Sequence, residues 1–183
     1  MRTGRLETPA DLLALGADLQ PQLIDWLWVG IRAKDAGDVP VAAGLRNPGR
    51  VEVRAWWDER LRNGRYLRAE QRLLHIDSVR DVTGQQAEQV LTCTELIGAP
   101  ATYTALPGAE PLPCRVFLDY EVARPGQFGG MVEYATQLEA ALVEVGRPQP
   151  GAVFLVDGVR WRVAGLVERE DDRVVRRMWV KRI

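Results

Sequence analysis

Short runs of alternating apolar and polar residues, separated by turn signals, extend along the chain. Residues 150–170, PGAVFLVDGVRWRVAGLVERE, predict a β-hairpin that turns at Asp157-Gly158, because an Asp-Gly pair between alternating apolar positions favours a two-residue hairpin turn. Gly- and Pro-containing turn signals lie at 46–49, 62–64, 83–84, 106–113, 124–130 and 147–151. Strands at this spacing are typical of a small all-β sandwich or barrel.

The predicted strands fall into two halves with the same plan. Those of the first half lie at 23–35, 49–61, 63–81 (a hairpin) and 88–97, and those of the second at 113–122, 130–145, 150–170 (a hairpin) and 173–183. A boundary is expected near 98–101. We therefore expect a mainly β chain with two tandem small antiparallel β-barrel or sandwich domains, at 1–98 and 99–183.

The two predicted hairpins share one hydrophobic phase. A shift of 87 positions, from 64 to 151, places Gly64 on Gly151. The same shift places the apolar residues Leu67, Leu74, Ile76, Val79, Leu91 and Cys93 on Phe154, Trp161, Val163, Leu166, Met178 and Val180. A one-residue slip would turn the whole apolar set to the opposite face, so the shared phase indicates two related units. Chance similarity between two hairpins is the alternative.

Residues 130–145 carry two conflicting signals. Met131, Tyr134, Leu138, Leu142 and Val145 recur at helical spacing, and QLEAALVEV is rich in helix-forming residues. The repeat, however, places this segment opposite the strand-like VEVRAWWDERL of the first half. We expect a strand here and leave a short helix open.

Composition narrows the class of protein. The chain has 183 residues, 46% of them hydrophobic, and a net charge of −1, so a packed fold is expected without a global field for nucleic acid or membrane. No apolar run approaches the roughly 20 residues that span a bilayer, and no signal peptide is evident. Cys93 and Cys114 are expected to be buried thiols rather than a disulfide.

Catalytic and metal-binding signals are weak. The only histidine, His75, alternates with Leu74 and Ile76 and is expected on the opposite strand face, with no obvious second metal ligand. Asp171-Asp172 is expected at a solvated hairpin tip. No nucleophile, phosphate-loop or dinucleotide motif occurs. These residues therefore point to no catalytic, metal or cofactor site.

Arginines and tryptophans cluster in the first half, around the segment 56–72. Since Arg and Trp are favoured at the centres of interfaces, we predict a subunit interface there. Its candidate residues are Trp56, Trp57, Arg60, Arg62, Arg65 and Arg68. The alternative from the same residues is a single-strand nucleic-acid surface on a small β-barrel, although Asp58, Glu59 and Glu70 dilute its charge.

Two loops rich in Gly, Ala and Pro follow the first predicted strand of each half, at 33–49 and 121–130. Long loops in small domains are uncommon and often functional, and ordinary surface loops are the alternative.

The order of these segments resembles known phage proteins. Residues 4–97, with DWLWVGIRAKD, VEVRAWWDERL, NGRYLRAEQRLLHIDSVRD and EQVLTCTELI, look like the head–tail joining proteins of long-tailed bacteriophages. Residues 101–183, with ATYT, RVFLDYE, a Gly-rich loop and PGAVFLVDGVRWRVAGLVERED, are similar to the lambda-type head–tail attachment protein. Residues 131–145 depart from that pattern.

This resemblance implies a structural protein of the virion neck, assembled in the host cytoplasm. It implies that the protein is not an enzyme and needs no cofactor. It implies a homo-oligomeric ring of six or twelve copies, with a portal or adaptor above and a tail terminator or tail tube below. The ring would close the filled head and dock the tail, with non-specific contact to packaged DNA as a further option. A tail terminator or another neck ring is the nearest alternative.

In such proteins, the loop after the first strand faces the ring lumen or a neighbouring ring. The resemblance therefore extends that role to the two loops. Its candidate residues are Asp35, Asp38, Val39, Leu45, Arg46, Asn47, Arg124, Gln127 and Phe128.

Overall fold

A computed structural model describes residues 6–33, 44–125, 132–167 and 172–183, with backbone alone at 33, 47–49 and 125. The chain divides into two compact units, Met1–Ile97 and Gly98–Ile183. Each unit contains one closed antiparallel barrel of six strands. The prediction of a mainly β chain with two β domains is confirmed.

The first barrel is built from strands β1 to β6 in the order β1-β2-β3-β6-β5-β4, with β4 paired back to β1. Its strands are β1 Thr8–Leu15, β2 Pro21–Ala33, β3 Arg46–Trp56, β4 Tyr66–Ala69, β5 Arg72–Asp81 and β6 Glu88–Leu96. Closure pairs both edges of the sheet, so no strand edge is left as a template for aggregation.

Alternating residues of all six strands fill this barrel. The core includes Leu12, Val53, Leu67, Ile76 and Leu91, none of them accessible to solvent. Their inward direction follows from the two-residue period of a strand. His75 lies between two core residues and points away from the core, as predicted.

The second barrel repeats this topology. Its elements are β7 Ala99–Thr104, β8 Leu112–Pro125, β9 Val132–Ala141, the one-turn helix α1 Leu142–Val145, β10 Val153–Val156, β11 Val159–Leu166 and β12 Val175–Arg182. Its strand order is β10-β11-β12-β9-β8-β7. Read from the other end, this is β7-β8-β9-β12-β11-β10, which is the order of the first barrel with β7 to β12 in place of β1 to β6. Phe154, Val116 and Met178 lie at the centre of its core.

The repeat extends to individual hydrogen bonds. The Gly64 N–H donates to Ile76 O at 2.9 Å, and the Gly151 N–H donates to Val163 O at 2.8 Å. Ile76 also faces Cys93, and the residue pair 87 positions later, Val163 and Val180, faces in the same way.

Bulges and turns repeat as well. A bulge follows Ile76 on β5 and Val163 on β11. The turn residue has positive φ in both hairpins, 54° at Glu70 and 48° at Asp157. In the second hairpin, Gly158 continues the turn with φ 76°, as the Asp-Gly signal predicted. The two barrels therefore share one topology, and β4 to β6 match β10 to β12 in register, turn and bulge.

Residues 132–145 form a strand and then a short helix, which combines the two readings of that segment. β9 is paired on both sides, with β8 and β12, and these ladders satisfy the backbone groups that a helix would otherwise pair internally. The chain then makes the single turn α1, where Glu144 accepts hydrogen bonds from the Arg115 N–H and Nε at 2.9 and 2.8 Å.

The first strand of each barrel has a weak sequence signal. β1 and β7 were not among the predicted strands, and each completes its barrel by pairing on both sides, β1 with β2 and β4, and β7 with β8 and β10. The predicted second strand, at 49–61, begins earlier and ends at Trp56.

Candidate interaction surface

Tryptophan side chains cover part of the outer face of the first barrel. On β2, Leu27 and Val29 point to the core, so Trp26 and Trp28 point outwards. The two indoles meet edge to face, with ring centroids 5.9 Å apart. They are 58% and 47% exposed, a large fraction for residues that bury much apolar area when covered.

Trp56 on the neighbouring strand β3 extends this surface. Its neighbour Ala55 points inwards opposite Val29, so Trp56 points outwards beside Trp28. It is 64% exposed. We call Trp26, Trp28 and Trp56 the tryptophan face. Sequence reasoning singled out Trp56 but missed the other two; the alternation of DWLWVG around Leu27 and Val29 was the available signal.

Arg60 forms ion pairs at the edge of this face, which connect β2 with the turn after β3. Its guanidinium binds Asp25 of β2 at 2.5 Å and Asp58 at 2.7 Å. Hydrogen bonds from the Trp26 N–H and then from Arg60 lower the pKa of Asp25. The side-chain hydrogen bond from Arg60 likewise lowers the pKa of Asp58, and the two carboxylates raise that of Arg60.

The other predicted interface arginines also have partners. Arg68 binds Asp11 at 2.9 Å, and the Nε of Arg62 donates to Glu59 O at 2.8 Å. The Arg65 guanidinium donates to the carbonyl of Arg60. Trp57 is only partly exposed. The cluster is thus a network that holds the surface in place, in which carboxylates neutralise Arg60 and Arg68 while Arg62 and Arg65 bind backbone carbonyls. That neutralisation weakens the case for a nucleic-acid surface at this place.

A shallow depression lies next to the tryptophan face. It is lined by Pro9, Ala10, Asp11, Trp26, Arg68 and Glu70. Pro9, Ala10 and Trp26 offer apolar surface, and Asp11 and Arg68 form an ion pair. That arrangement suits contact with another protein rather than chemistry on a small molecule.

Several of the predicted loop residues lie outside the part of the chain that the structure describes. Asp35, Asp38, Val39, Gln127 and Phe128 are outside the described residues, and Asn47 is described by its backbone alone in β3.

Three other loop candidates have defined places. Leu45 is fully buried, so its side chain stabilises the fold in this conformation. Arg46 begins β3, 3.9 Å from Asp77. Arg124 binds Glu133 at 2.6 Å and covers the Trp179 ring at 5.8 Å from its centroid.

Both predicted loops connect equivalent strands, β2 with β3 and β8 with β9. The β8–β9 hairpin has a bulge between Asp119 and Val122, where Glu121 has φ 57°. Beyond the bulge, Val132 and Tyr134 are 62% and 71% exposed. Apolar side chains therefore lie beside the second loop, and sequence reasoning did not identify them as contact residues.

Reactive groups are occupied or buried. The Nδ1 of His75 lies 2.9 Å from Asp77 Oδ1, and the ring packs edge-on against Tyr66. Cys93 and Cys114 are free and buried, as predicted, and burial raises the pKa of each thiol to about 12.

Within the described ranges, His, Cys, Asp and Glu side chains form no cluster of three that would hold a metal ion. Nor does any helix of the described chain have the length and apolarity to cross a membrane.

Two closed barrels with exposed aromatic surface are typical of a protein that makes contacts with other proteins. A family model described as Phage Head-Tail Attachment protein matches residues 80–180. The match covers more than half of the chain, and the protein belongs to this family. It is therefore a structural phage protein of the head–tail junction, and the family is not an enzyme family.

The family match runs from the end of β5 through β6 and nearly all of the second barrel. The similarity of the second half to the head–tail attachment protein is thereby confirmed. Residues 1–79 lie outside the match, so the likeness of the first half to the head–tail joining family stays a prediction. A comparison with curated proteins gives no significant match.

Proposed function

We propose that this protein is the subunit of a connector ring between the portal or adaptor and the tail, which closes the filled head and offers the docking surface for the tail. The observation that carries the proposal is the family match over residues 80–180. The fold supports it, since closed barrels are rigid scaffolds from which loops can make contacts.

The tryptophan face is the proposed contact between neighbouring subunits. A ring needs a heterologous interface, in which one surface of a subunit meets a different surface of the next. Trp26, Trp28 and Trp56 offer clustered exposed indole surface, and tryptophans dominate binding energy when they are covered. The Arg60 ion pairs hold β2 and the turn after β3 together beneath it.

The loops at 33–49 and 121–130 are the proposed contacts with the lumen or the adjoining rings. They occupy equivalent positions, between the second and third strands of each barrel. Val132 and Tyr134 extend the second contact region with exposed apolar surface.

The two barrels of each chain suggest a stoichiometry. Six chains would supply twelve barrels and so match a twelve-fold neck to a six-fold tail. The mass of the assembled ring tests this number, and any count other than six chains contradicts it.

Replacing residues 36–42 with a Gly-Ser linker of equal length tests the loop role. The replacement spares Leu45, which is fully buried, and Arg46, which begins β3, so the variant should keep the circular dichroism spectrum and melting temperature of the wild type. Supplied to a phage that lacks the protein, it should leave heads that lose DNA or remain without tails.

A matched control replaces the exposed segment 106–110, between β7 and β8, in the same way and should support normal growth. Normal infectious yield from the 36–42 variant would refute the loop role. Absence of the wild-type protein from the necks of purified virions would refute the connector itself.

A further inference from the structure

Positive charge is concentrated on one side of the second barrel. Strands β7, β10, β11 and β12 contain no Asp or Glu. They carry six cations, Arg160, Arg162, Arg176, Arg177, Lys181 and Arg182. Such a separation is notable in a chain whose net charge is −1, because the balancing carboxylates must lie elsewhere.

Three of these cations share the outer surface. Trp161 and Val163 point into the core, so Arg160 and Arg162 point outwards. Lys181 is the cross-strand partner of Arg162 and shares its face. We call Arg160, Arg162 and Lys181 the basic face, and all three side chains are exposed.

The basic face is not neutralised within the described chain. None of its three side chains makes an ion pair or hydrogen bond with another described residue. Asp157, in the turn that precedes β11, is the carboxylate nearest to Arg160 in sequence and is not paired with it. Arg177 differs, since it binds Glu139 at 2.6 Å.

The neighbours of the basic face carry no charge. Leu155 of β10 lies opposite Arg160, and Thr102 of β7 lies opposite Leu155. Trp179 is the aromatic residue on the outer side of β12, and the Arg124 guanidinium covers its ring. The surface thus offers cations and hydroxyl groups, without a free aromatic ring on which a base would stack.

The repeat provides an internal comparison. The positions 87 residues earlier are Leu73, His75 and Thr94, so the first barrel has no equivalent basic face. Its nearby cations are paired, Arg68 with Asp11 and Arg72 with Glu95. The basic face therefore belongs to the second barrel alone and does not follow from the fold.

We propose that the basic face binds the phosphate backbone of double-stranded DNA without sequence specificity. Arg, Lys and Thr are common donors to phosphate oxygens, and contacts of this kind position a protein without reading sequence. An acidic protein is less favoured, because interface centres are rich in aromatic residues, and the one aromatic ring beside this face, Trp179, is covered by Arg124. The choice of DNA rests on the proposed function, since a ring that closes the head lies next to packaged DNA.

Fluorescence anisotropy with a labelled random-sequence duplex tests the proposal on the full chain. Three phosphate contacts predict a log–log salt slope of about −2.7, so a fourfold rise in salt weakens binding about 40-fold. The variant Arg160→Gln/Arg162→Gln/Lys181→Gln should lose most of that salt dependence and bind much more weakly at low ionic strength.

A matched control removes three exposed charges from the first barrel, as Arg32→Gln/Arg50→Gln/Arg80→Gln. It lowers the net charge by the same amount and should retain the wild-type slope. An equal loss in this control would show that overall charge, not the basic face, attracts DNA.

Two further results would overturn the proposal: no binding of duplex by the wild type at low ionic strength, or binding of polyglutamate without binding of DNA, which would indicate an acidic protein partner. The assay needs neither ring nor infection. If the wild-type protein restores head–tail joining but does not bind DNA, this inference is refuted, whereas the proposed connector function is not.

Discussion

The substitution of Trp by Ala should have opposite consequences at two positions of this protein. Trp56 is 64% exposed on the tryptophan face, whereas Trp161 is 8% exposed in the second barrel. Trp161→Ala leaves a cavity and should lower the free energy of unfolding by about 3–5 kcal/mol. Trp56→Ala removes a side chain that already contacts water, so its effect on stability should stay within about 0.5 kcal/mol.

Trp56→Ala, which should hardly affect stability, should strongly weaken the association of subunits. With a residue surface of about 250 Å², the exposed part of Trp56 amounts to about 160 Å². Covering this area is worth up to about 4 kcal/mol at about 25 cal/mol/Å². Truncation of such a residue at an interface typically costs at least about 2 kcal/mol. The association constant should therefore fall by a factor of about 30 to 700 at each subunit contact.

Two measurements separate these effects. Chemical denaturation followed by circular dichroism gives the stability of each variant, and attachment to filled heads that lack the protein gives assembly. Trp56→Phe keeps most of the apolar surface and should recover much of the assembly. Normal attachment of Trp56→Ala would refute the subunit-contact role of the tryptophan face, and a stability loss equal to that of Trp161→Ala would refute its position at the surface.

Three further predictions test the fold. Gly64→Ala and Gly151→Ala should each lower the free energy of unfolding by about 1–2 kcal/mol, because φ is +80° and +94° with open space around the added methyl group. Gly165→Ala, at a position without positive φ, should be nearly neutral. Unequal costs at Gly64 and Gly151 would contradict the structural equivalence of these two positions. Hydrogen bonds from the backbone N–H groups of Gln86, Thr83 and Gly84 lower the pKa of Asp81. The carboxylate therefore stabilises the fold above its ordinary pKa and loses that effect as pH falls through the lowered value. Asp81→Asn should therefore lower the melting temperature at neutral pH, with a difference that vanishes in acid, whereas a constant difference would show that ionisation plays no part. Burial raises the pKa of both cysteine thiols to about 12, so a thiol reagent at mildly alkaline pH should label neither until denaturant unfolds the chain; labelling of the native protein would contradict this burial.

Local patterns in the sequence predicted the hairpins well. β10 and β11 follow from alternating apolar residues around Asp157-Gly158, and the shared phase predicted that the hairpin at 63–81 is built in the same way. These signals are local, because a strand with one buried face alternates with period two and an Asp-Gly turn pins its register. The same alternation predicted that Cys93 would be buried with Leu91.

The interaction surface was harder to predict. The sequence singles out the cluster around Trp56, but two ion-pair partners of its arginines lie far away along the chain. Asp25 is 35 residues from Arg60, and Asp11 is 57 residues from Arg68. Strand pairing brings these two ion pairs together, so distant segments neutralise part of the positive charge that the sequence concentrates here.

The sequence by itself determined the β class, the repeat of 87 positions and the register of the two hairpins, since each depends on alternation and turn chemistry within a few residues. Tertiary structure decided which segments close the barrels. TPADLLAL and APATYT have little strand pattern of their own, and they become β1 and β7 because two neighbouring strand edges each need a partner for their N–H and C=O groups. Tertiary structure also decided which charges are free, because ion pairs form between strands that are distant in the chain and adjacent in the sheet.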